Sequence, residues 1–232
     1  MQTKTNSVLQ QLPKLIITED GSTTLEQSQH NETYHSIHGA MNESKHIFIN
    51  SGLRAFHANQ EQINILEIGF GTGLNALLSI IYSIAEEIKI HYVSIEPFPV
   101  SLLTVGELNY PEMIGGNAEE LFLSLHESLW NQPIFVHDMF ILNKILSGVQ
   151  EVELSQNAFD VVYFDAFSPE VQPEMWTTEV FNKIFMAMKS NGVLVTYSAK
   201  GQVKRNLKEC GFIIESIPGP KGKREITRAR KP

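Results

Sequence analysis

At 232 residues, with 42% apolar, 19% charged and 9% aromatic residues and a formal net charge of −8, the chain is long enough to bury a full hydrophobic core. It contains no uninterrupted apolar run of about 18 residues and no apolar stretch behind Met1, which speaks against a membrane span, a secretory signal and wholesale disorder. The single cysteine, Cys210, offers neither an internal disulfide nor a cysteine-rich zinc site, so the expectation is a cytoplasmic protein in a reducing compartment.

Residues 1–60 read as an N-terminal cap on the substrate side, with two weakly strand-like pieces, Lys14–Thr18 and His46–Asn50, around a polar stretch. From 61 to 232 short apolar runs alternate with longer amphipathic stretches. The runs Ile63–Ile68, Ile90–Ile95, Ile134–Val136, Val161–Phe164, Leu194–Tyr197 and Phe212–Ile217 predict strands; helical spacing falls on Leu74–Ile88, Met175–Met188 and Gln202–Cys210. This order predicts an α/β, Rossmann-like fold: a mostly parallel sheet with helices on both faces and its ligand at the carboxyl ends of the strands. No linker, repeat or low-complexity segment marks a further boundary. Charge is uneven along the chain, because segment 200–232 carries a balance of +7 and the rest −15. Any basic surface must therefore come largely from the tail, although such residues also serve simply to solvate a terminal helix and strand.

The strongest local signal is Leu66-Glu67-Ile68-Gly69-Phe70-Gly71-Thr72-Gly73-Leu74-Asn75, a strand running through a glycine-rich turn into a helix. Glycine removes Cβ atoms where the chain turns sharply, and the helix start offers unpaired N–H groups. A dinucleotide site prefers G-x-G-x-x-G, whereas this is G-x-G-x-G with Glu67 just ahead of it, an arrangement better suited to a cationic ligand. Glu96 ends the next strand, where a carboxylate can take both ribose hydroxyls of an adenosine. Asp138 follows Ile134–Val136 and Asp165 follows Val161–Phe164. Each acid alone reads as a strand-end cap. Together at one sheet edge, Glu67, Glu96, Asp138 and Asp165 would surround an adenosine with a positively charged amino-acid arm, which describes S-adenosylmethionine.

These residues resemble the class I S-adenosylmethionine-dependent methyltransferases, and within them the methyltransferase domain of MnmC and its stand-alone MnmD relatives. Gly69-Phe70-Gly71-Thr72-Gly73-Leu74-Asn75 is similar to that family's GFGTGLN loop, a motif shared by many methyltransferases. More specific are Asp165-Ala166-Phe167-Ser168-Pro169 with Pro173-Glu174-Met175-Trp176, where Gln172 replaces the usual Asn, and the closing segments Thr196–Gly201 and Gly219-Pro220-Lys221-Gly222-Lys223-Arg224-Glu225. The resemblance implies a seven-stranded sheet and methylation of the primary amine of 5-aminomethyl-2-thiouridine at the tRNA wobble position. It carries over Glu67, Gly69, Phe70, Gly71, Thr72, Gly73, Asn75, Glu96 and Asp138 as cofactor contacts, and Asp165 as the carboxylate near methyl group and amine. Bifunctional members carry a fused FAD-dependent oxidase. This chain has no second glycine fingerprint, so the expectation is that a separate enzyme supplies the aminomethyl group or that the tRNA receives it directly.

Methyl transfer is an in-line displacement that needs positioning and no covalent residue. Cys210 accordingly reads as core, and Asp-Ala-Phe-Ser-Pro differs from the Asn-Pro-Pro-Tyr type used on aromatic amines. An aliphatic amine has a pKa near that of Lys, about 10.4, and must lose a proton before attack. Asp165 is expected to position it and accept that proton. For the tRNA anticodon arm, Lys200, Lys204, Arg205, Lys221, Lys223 and Arg224 are candidate phosphate contacts, and Tyr34, Phe167 or Trp176 candidates for stacking on a flipped base; Trp176 reads equally well as packing. Glu32–Ala40, including His38, is expected over the substrate pocket. His30, His35 and His38 lack an adjacent cysteine or acid cluster, so no metal is expected. The competing readings are a small-amine enzyme such as an aminopropyltransferase and a non-catalytic partner subunit.

Overall fold

A computed structural model describes residues 13–27, 32–56 and 60–232. Its centre is an eight-stranded sheet built from β4 (Gln62–Ile68), β5 (Lys89–Ile95), β6 (Pro133–His137), β7 (Phe140–Ile145), β8 (Phe159–Phe164), β9 (Met188–Thr196), β10 (Ile213–Pro218) and β11 (Glu225–Arg230). The strand order is β10-β11-β9-β8-β4-β5-β7-β6. β9, β8, β4, β5 and β7 run parallel, while β11 is antiparallel between β9 and β10. The chain steps from β4 outward to β5 and β7 and then returns to β8 on the other side of β4. The crevice is therefore at the carboxyl ends of β4, β5 and β8.

β8 is buried along its whole length and β4 along most of it, as befits strands covered on both faces. One covering layer is α2 (Leu74–Ala85) and α5 (Ala118–Glu127), with a helix that begins as α1 (Ala40–Ser44) and continues in π-type turns over Lys45–Arg54. The opposite layer is α6 (Thr178–Ala187) and α7 (Gly201–Glu209). Short helices α3 (Leu102–Val105) and α4 (Tyr110–Ile114) connect β5 to α5, and β1 (Lys14–Ile17), β2 (Thr23–Gln27) and β3 (Glu32–Thr33) form a separate three-stranded sheet.

Two expectations are corrected. His46–Asn50 is helical: Ile47, Phe48, Ile49 and Leu53 are buried against β8, β9 and α2. A short continuous apolar run carries no periodicity that separates strand from buried helix. Ile134–Val136 belongs to β6, an antiparallel edge strand, and the parallel strand is β7, read as no element from the sequence. Only Asp138 and Met139 separate β6 from β7, a connection that permits a hairpin and forbids a parallel crossover. Asp138 consequently sits at the amino end of β7, across the sheet from the crevice. β6 is also the strand added beyond the expected seven.

The π-type turns approach the sheet closely at Gly52, where a Cβ would lie 2.9 Å from Val195 Cγ2 and 3.3 Å from Tyr163 Cε1. Both neighbours are fully buried and lack room to yield. Gly52→Ala should therefore destabilise the fold by about 1–3 kcal/mol in urea denaturation despite alanine's better helix propensity. An unchanged or raised midpoint would show that the helix is not seated this closely.

Candidate functional site

The crevice holds a cavity of about 1150 Å³, large enough for more than one drug-sized ligand. Its floor is the turn from β4 into α2. Gly69, Gly71 and Gly73 all have positive φ, at 94°, 50° and 73°. The requirement is steric as well: a Cβ on Gly69 would lie 2.8 Å from the Asp165 carbonyl oxygen, and one on Gly73 would lie 2.6 Å from His126 Nε2. The turn is pinned by Gly69 N–H donating to Ile95 O (2.9 Å) and Gly71 N–H donating to Glu96 Oε2 (3.1 Å). Thr72 is held on two sides, its hydroxyl 2.7 Å from His35 Nε2 and its carbonyl 3.1 Å from His126 Nε2. Burial pushes both imidazoles down to about 4, so they stay neutral at physiological pH.

Three of the four expected acids meet around this turn. Glu96 lines the cavity and accepts N–H groups from Gly71 and Phe98 (2.7 Å), which leaves further lone pairs for a ligand's hydroxyls. Asp165 lines it from the end of β8, with Asn75 Nδ2 donating to Oδ2 at 2.9 Å. Withdrawal from water and the nearby Glu43 carboxylate raise Asp165 to about 7, against the opposing pull of Asn75 and Lys223. Glu67 is fully buried beneath the lining, accepts from Ser94 Oγ at 2.6 Å, and is pushed by burial up to about 8. It is a neutral acid under Asn75 at physiological pH, so its expected direct contact is replaced by a supporting place. Asp138, at the opposite sheet edge, is absent from the cavity lining.

From the N-terminal segment, Glu32, Thr33, Tyr34, His35 and Ser36 line the cavity. Tyr34 packs edge-on against Phe167 (5.1 Å between centroids), and the Glu32 carboxylate accepts the Ser168 N–H. Both rings line the cavity. Trp176 does not: it is 3% exposed, its Nε1 donates to Phe167 O at 2.8 Å, and its ring packs on Phe164. It shapes the site from beneath. His38 lies outside the lining, 2.9 Å from Glu19 Oε1. His30 lies outside the described residues, and no metal-binding cluster occurs among those described.

The basic candidates divide. Lys200 pairs with Glu170, Lys221 with Glu19, and Arg205 bonds Gln202; Lys200 and Lys221 remain largely exposed, as does Arg224. Lys204 is turned inward to Ser216 and Glu225, and Lys223 lines the cavity against Glu43. These two are not presented as surface phosphate contacts. Sequence reasoning missed Glu43, Tyr197 and the Ser147–Gln150 turn after β7 as lining residues, and His126 as a support of the turn. The apolar residues Phe140, Ile141, Leu142 and Ile145 were the available signal for β7 and hence for the Ser147–Gln150 turn that follows it.

A profile of the S-adenosyl-L-methionine-dependent methyltransferase family matches residues 135–232. The tRNA 5-methylaminomethyl-2-thiouridine biosynthesis bifunctional protein MnmC of Paracidovorax citrulli is 31% identical over 209 residues, 85% of this chain and 32% of its own length. The protein of the same name from Cupriavidus metallidurans is 30% identical over 230 residues, 93% of this chain and 33% of its own. The chain thus spans about a third of the length of these curated relatives. Among solved structures, MNMC2 from Aquifex aeolicus aligns with a TM-score of 0.76 and 26% identity, covering 95% of this chain and 71% of that one. Spermidine synthase from Thermotoga maritima, with a TM-score of 0.53 and 13% identity over 90% of this chain and 68% of its own, shares the fold alone.

The cofactor of that family fits the residues present. Two of the turn's glycines line the cavity, Glu96 keeps acceptor capacity, and Asn75 Oδ1 is a buried acceptor without a partner among the described residues. The buried Glu67 has a consequence for stability. Its native pKa of about 8 lies above the unfolded value of about 4.5, so its contribution is present below pH 4.5 and lost as pH rises to 8. The buried histidines have the opposite sign and act only below about pH 6.5. Glu67→Gln should therefore lose less stability than wild type between pH 6.5 and 8.5 in urea titrations; parallel losses would contradict a protonated Glu67.

Proposed function

We propose that the chain is an MnmC-type S-adenosyl-L-methionine-dependent methyltransferase, a reading supported by the family profile and the relatives above, and that it methylates the primary amine of 5-aminomethyl-2-thiouridine at the wobble position of tRNA. The observation that carries the reading is Asp165: a carboxylate at the end of β8, inside the cavity, fixed by Asn75 and raised to about 7. A proton acceptor with that pKa is matched to neutral pH, which eases the difficulty that an ordinary carboxylate beside an ammonium holds the proton on the amine.

Bound S-adenosyl-L-methionine supplies an electrophilic methyl group. Glu96 would take its ribose hydroxyls, and Gly69 and Gly71 would let backbone approach it. Asp165 would orient the amine and receive its proton. Tyr34 and Phe167, paired edge to face at the cavity wall, offer an aromatic surface to the wobble base. Lys200, Lys221 and Arg224 remain exposed for backbone phosphates of the anticodon arm; the surface ion pairs of the two lysines are weak enough to exchange for phosphate. The reaction belongs in the cytoplasm, and the aminomethyl group would be supplied by a separate enzyme. No helix among the described residues is long and apolar enough to cross a membrane.

Asp165→Ala should lower single-turnover methyl transfer on aminomethyl-bearing tRNA by about 100-fold or more while leaving the cofactor Kd within a few-fold of wild type. Equal losses in both would reassign Asp165 to cofactor binding. For tRNA binding, the Lys200/Lys221/Arg224 triple alanine variant should flatten the slope of log K against log salt by about 2–3. An unchanged slope would remove these residues from the interface.

A further inference from the structure

Lys223 stands apart from the rest of the basic tail. Its side chain lines the cavity together with Glu43, Asp165 and Tyr197. Its Nζ is 3.2 Å from Glu43 Oε1 and 5.0 Å from the centre of the Tyr197 ring. Each partner is itself fixed: Glu43 Oε2 accepts the Ser36 N–H at 2.7 Å, and the Tyr197 hydroxyl donates to the carbonyl of Ala166, next to Asp165, at 2.9 Å. The Glu43 side chain is only 9% exposed. Three charges from α1, the end of β8 and the loop before β11 are thereby gathered in one cavity, two negative and one positive.

We propose that Lys223 and Glu43 are an opposed pair of positioning residues that act through Asp165, setting the pH range in which it takes the proton from a bound amine. The inference rests on the methyl-transfer reading above and refines it. In the step concerned, an N–H bond of the ammonium breaks, its electron pair stays on nitrogen as the attacking lone pair, and the proton passes to the Asp165 carboxylate. The Lys223 ammonium acts on the two partners in opposite senses: it stabilises ionised Asp165, which keeps the acceptor deprotonated to lower pH but weakens it as a base, and it disfavours a second cation beside it, which eases deprotonation of the amine. Glu43 has the reverse effect on each. Lys223 acts to lower and Glu43 to raise the Asp165 pKa, with Asn75 adding to the lowering.

Other titratable groups surround the pair. Glu32 bonds the Ser168 N–H, Glu67 lies beneath Asn75, Glu96 stands across the turn, and Lys221, Glu19 and His38 form an ion-paired group beside Gly222. Replacing Lys223 or Glu43 removes none of these; Glu43 also acts on the buried His35 imidazole and the Tyr197 hydroxyl, which titrate far below and far above Asp165.

The test is a titration of the Asp165 carboxyl by 13C NMR in ligand-free protein labelled at aspartate carboxyls, the resonance being assigned by its loss in Asp165→Asn. Lys223→Met should move the midpoint up by about one pH unit, Glu43→Gln should move it down, and Lys223→Arg should keep it near wild type. The acid limb of the single-turnover pH profile should shift in the same directions. A loss of packing alone would slow Lys223→Met and Glu43→Gln without moving their midpoints in opposite directions. Midpoints that stay put, or move together, overturn the inference. Wild-type protein that fails to methylate aminomethyl-bearing tRNA would instead overturn the substrate reading, leaving the titration to decide this one.

Discussion

The fold's site depends on how closely the glycine turn passes the end of β8. With hydrogen at Gly69 where any other residue has Cβ, the turn clears the Asp165 carbonyl, and the Asp165 N–H reaches Ile68 O at 3.0 Å. That junction makes one continuous floor from the ends of β4 and β8, across which Asn75 and Asp165, 90 residues apart in sequence, meet. The first residues of α2 then deliver the Asn75 amide to the Asp165 carboxylate, and the end of β5 delivers Glu96 to the Gly71 N–H. A methyl group at Gly69 would push the glycine turn away from the Asp165 backbone.

Around this floor the electrostatics are those of a site built for a cation. Glu43, Glu96 and Asp165 line the cavity and Glu67 lies under it, with Lys223 the only Lys or Arg among the lining residues. Such crowding is tolerable because two of the acids are raised towards or above neutrality: Glu67 keeps its proton, and Asp165 titrates near physiological pH. A sulfonium and an amine would each be attracted to the remaining charge. The acidic body would repel a polyanion, so such a partner would have to meet the exposed basic residues of the tail.

Much of the parallel core was legible because β4, β5 and β8 are apolar runs long enough to cross a buried sheet, and because a glycine turn with an acid after each neighbouring strand has a physical meaning before any fold is drawn. What escaped has equally physical reasons. β6 and β7 are separated by two residues, and the apolar content of β6 drew the strand assignment away from β7, whose apolar run is interrupted by Asn143 and Lys144. The helix through Ile47–Ile49 shows three apolar residues in a row, a pattern common to both kinds of buried element. Lys223 looked like a phosphate ligand because basic composition says nothing of direction; its inward turn is determined by Glu43, 180 residues earlier in the chain. Trp176 looked like a stacking platform, and its indole N–H instead holds the backbone of Phe167.

Mass spectrometry of nucleosides from tRNA bearing 5-aminomethyl-2-thiouridine, after incubation with the protein and S-adenosyl-L-methionine, decides whether this amine is the substrate. One added methyl is expected on that nucleoside, and none on tRNA lacking the aminomethyl group. Cofactor binding without any added methyl on the aminomethyl nucleoside, or methylation of a different nucleoside, would contradict that assignment.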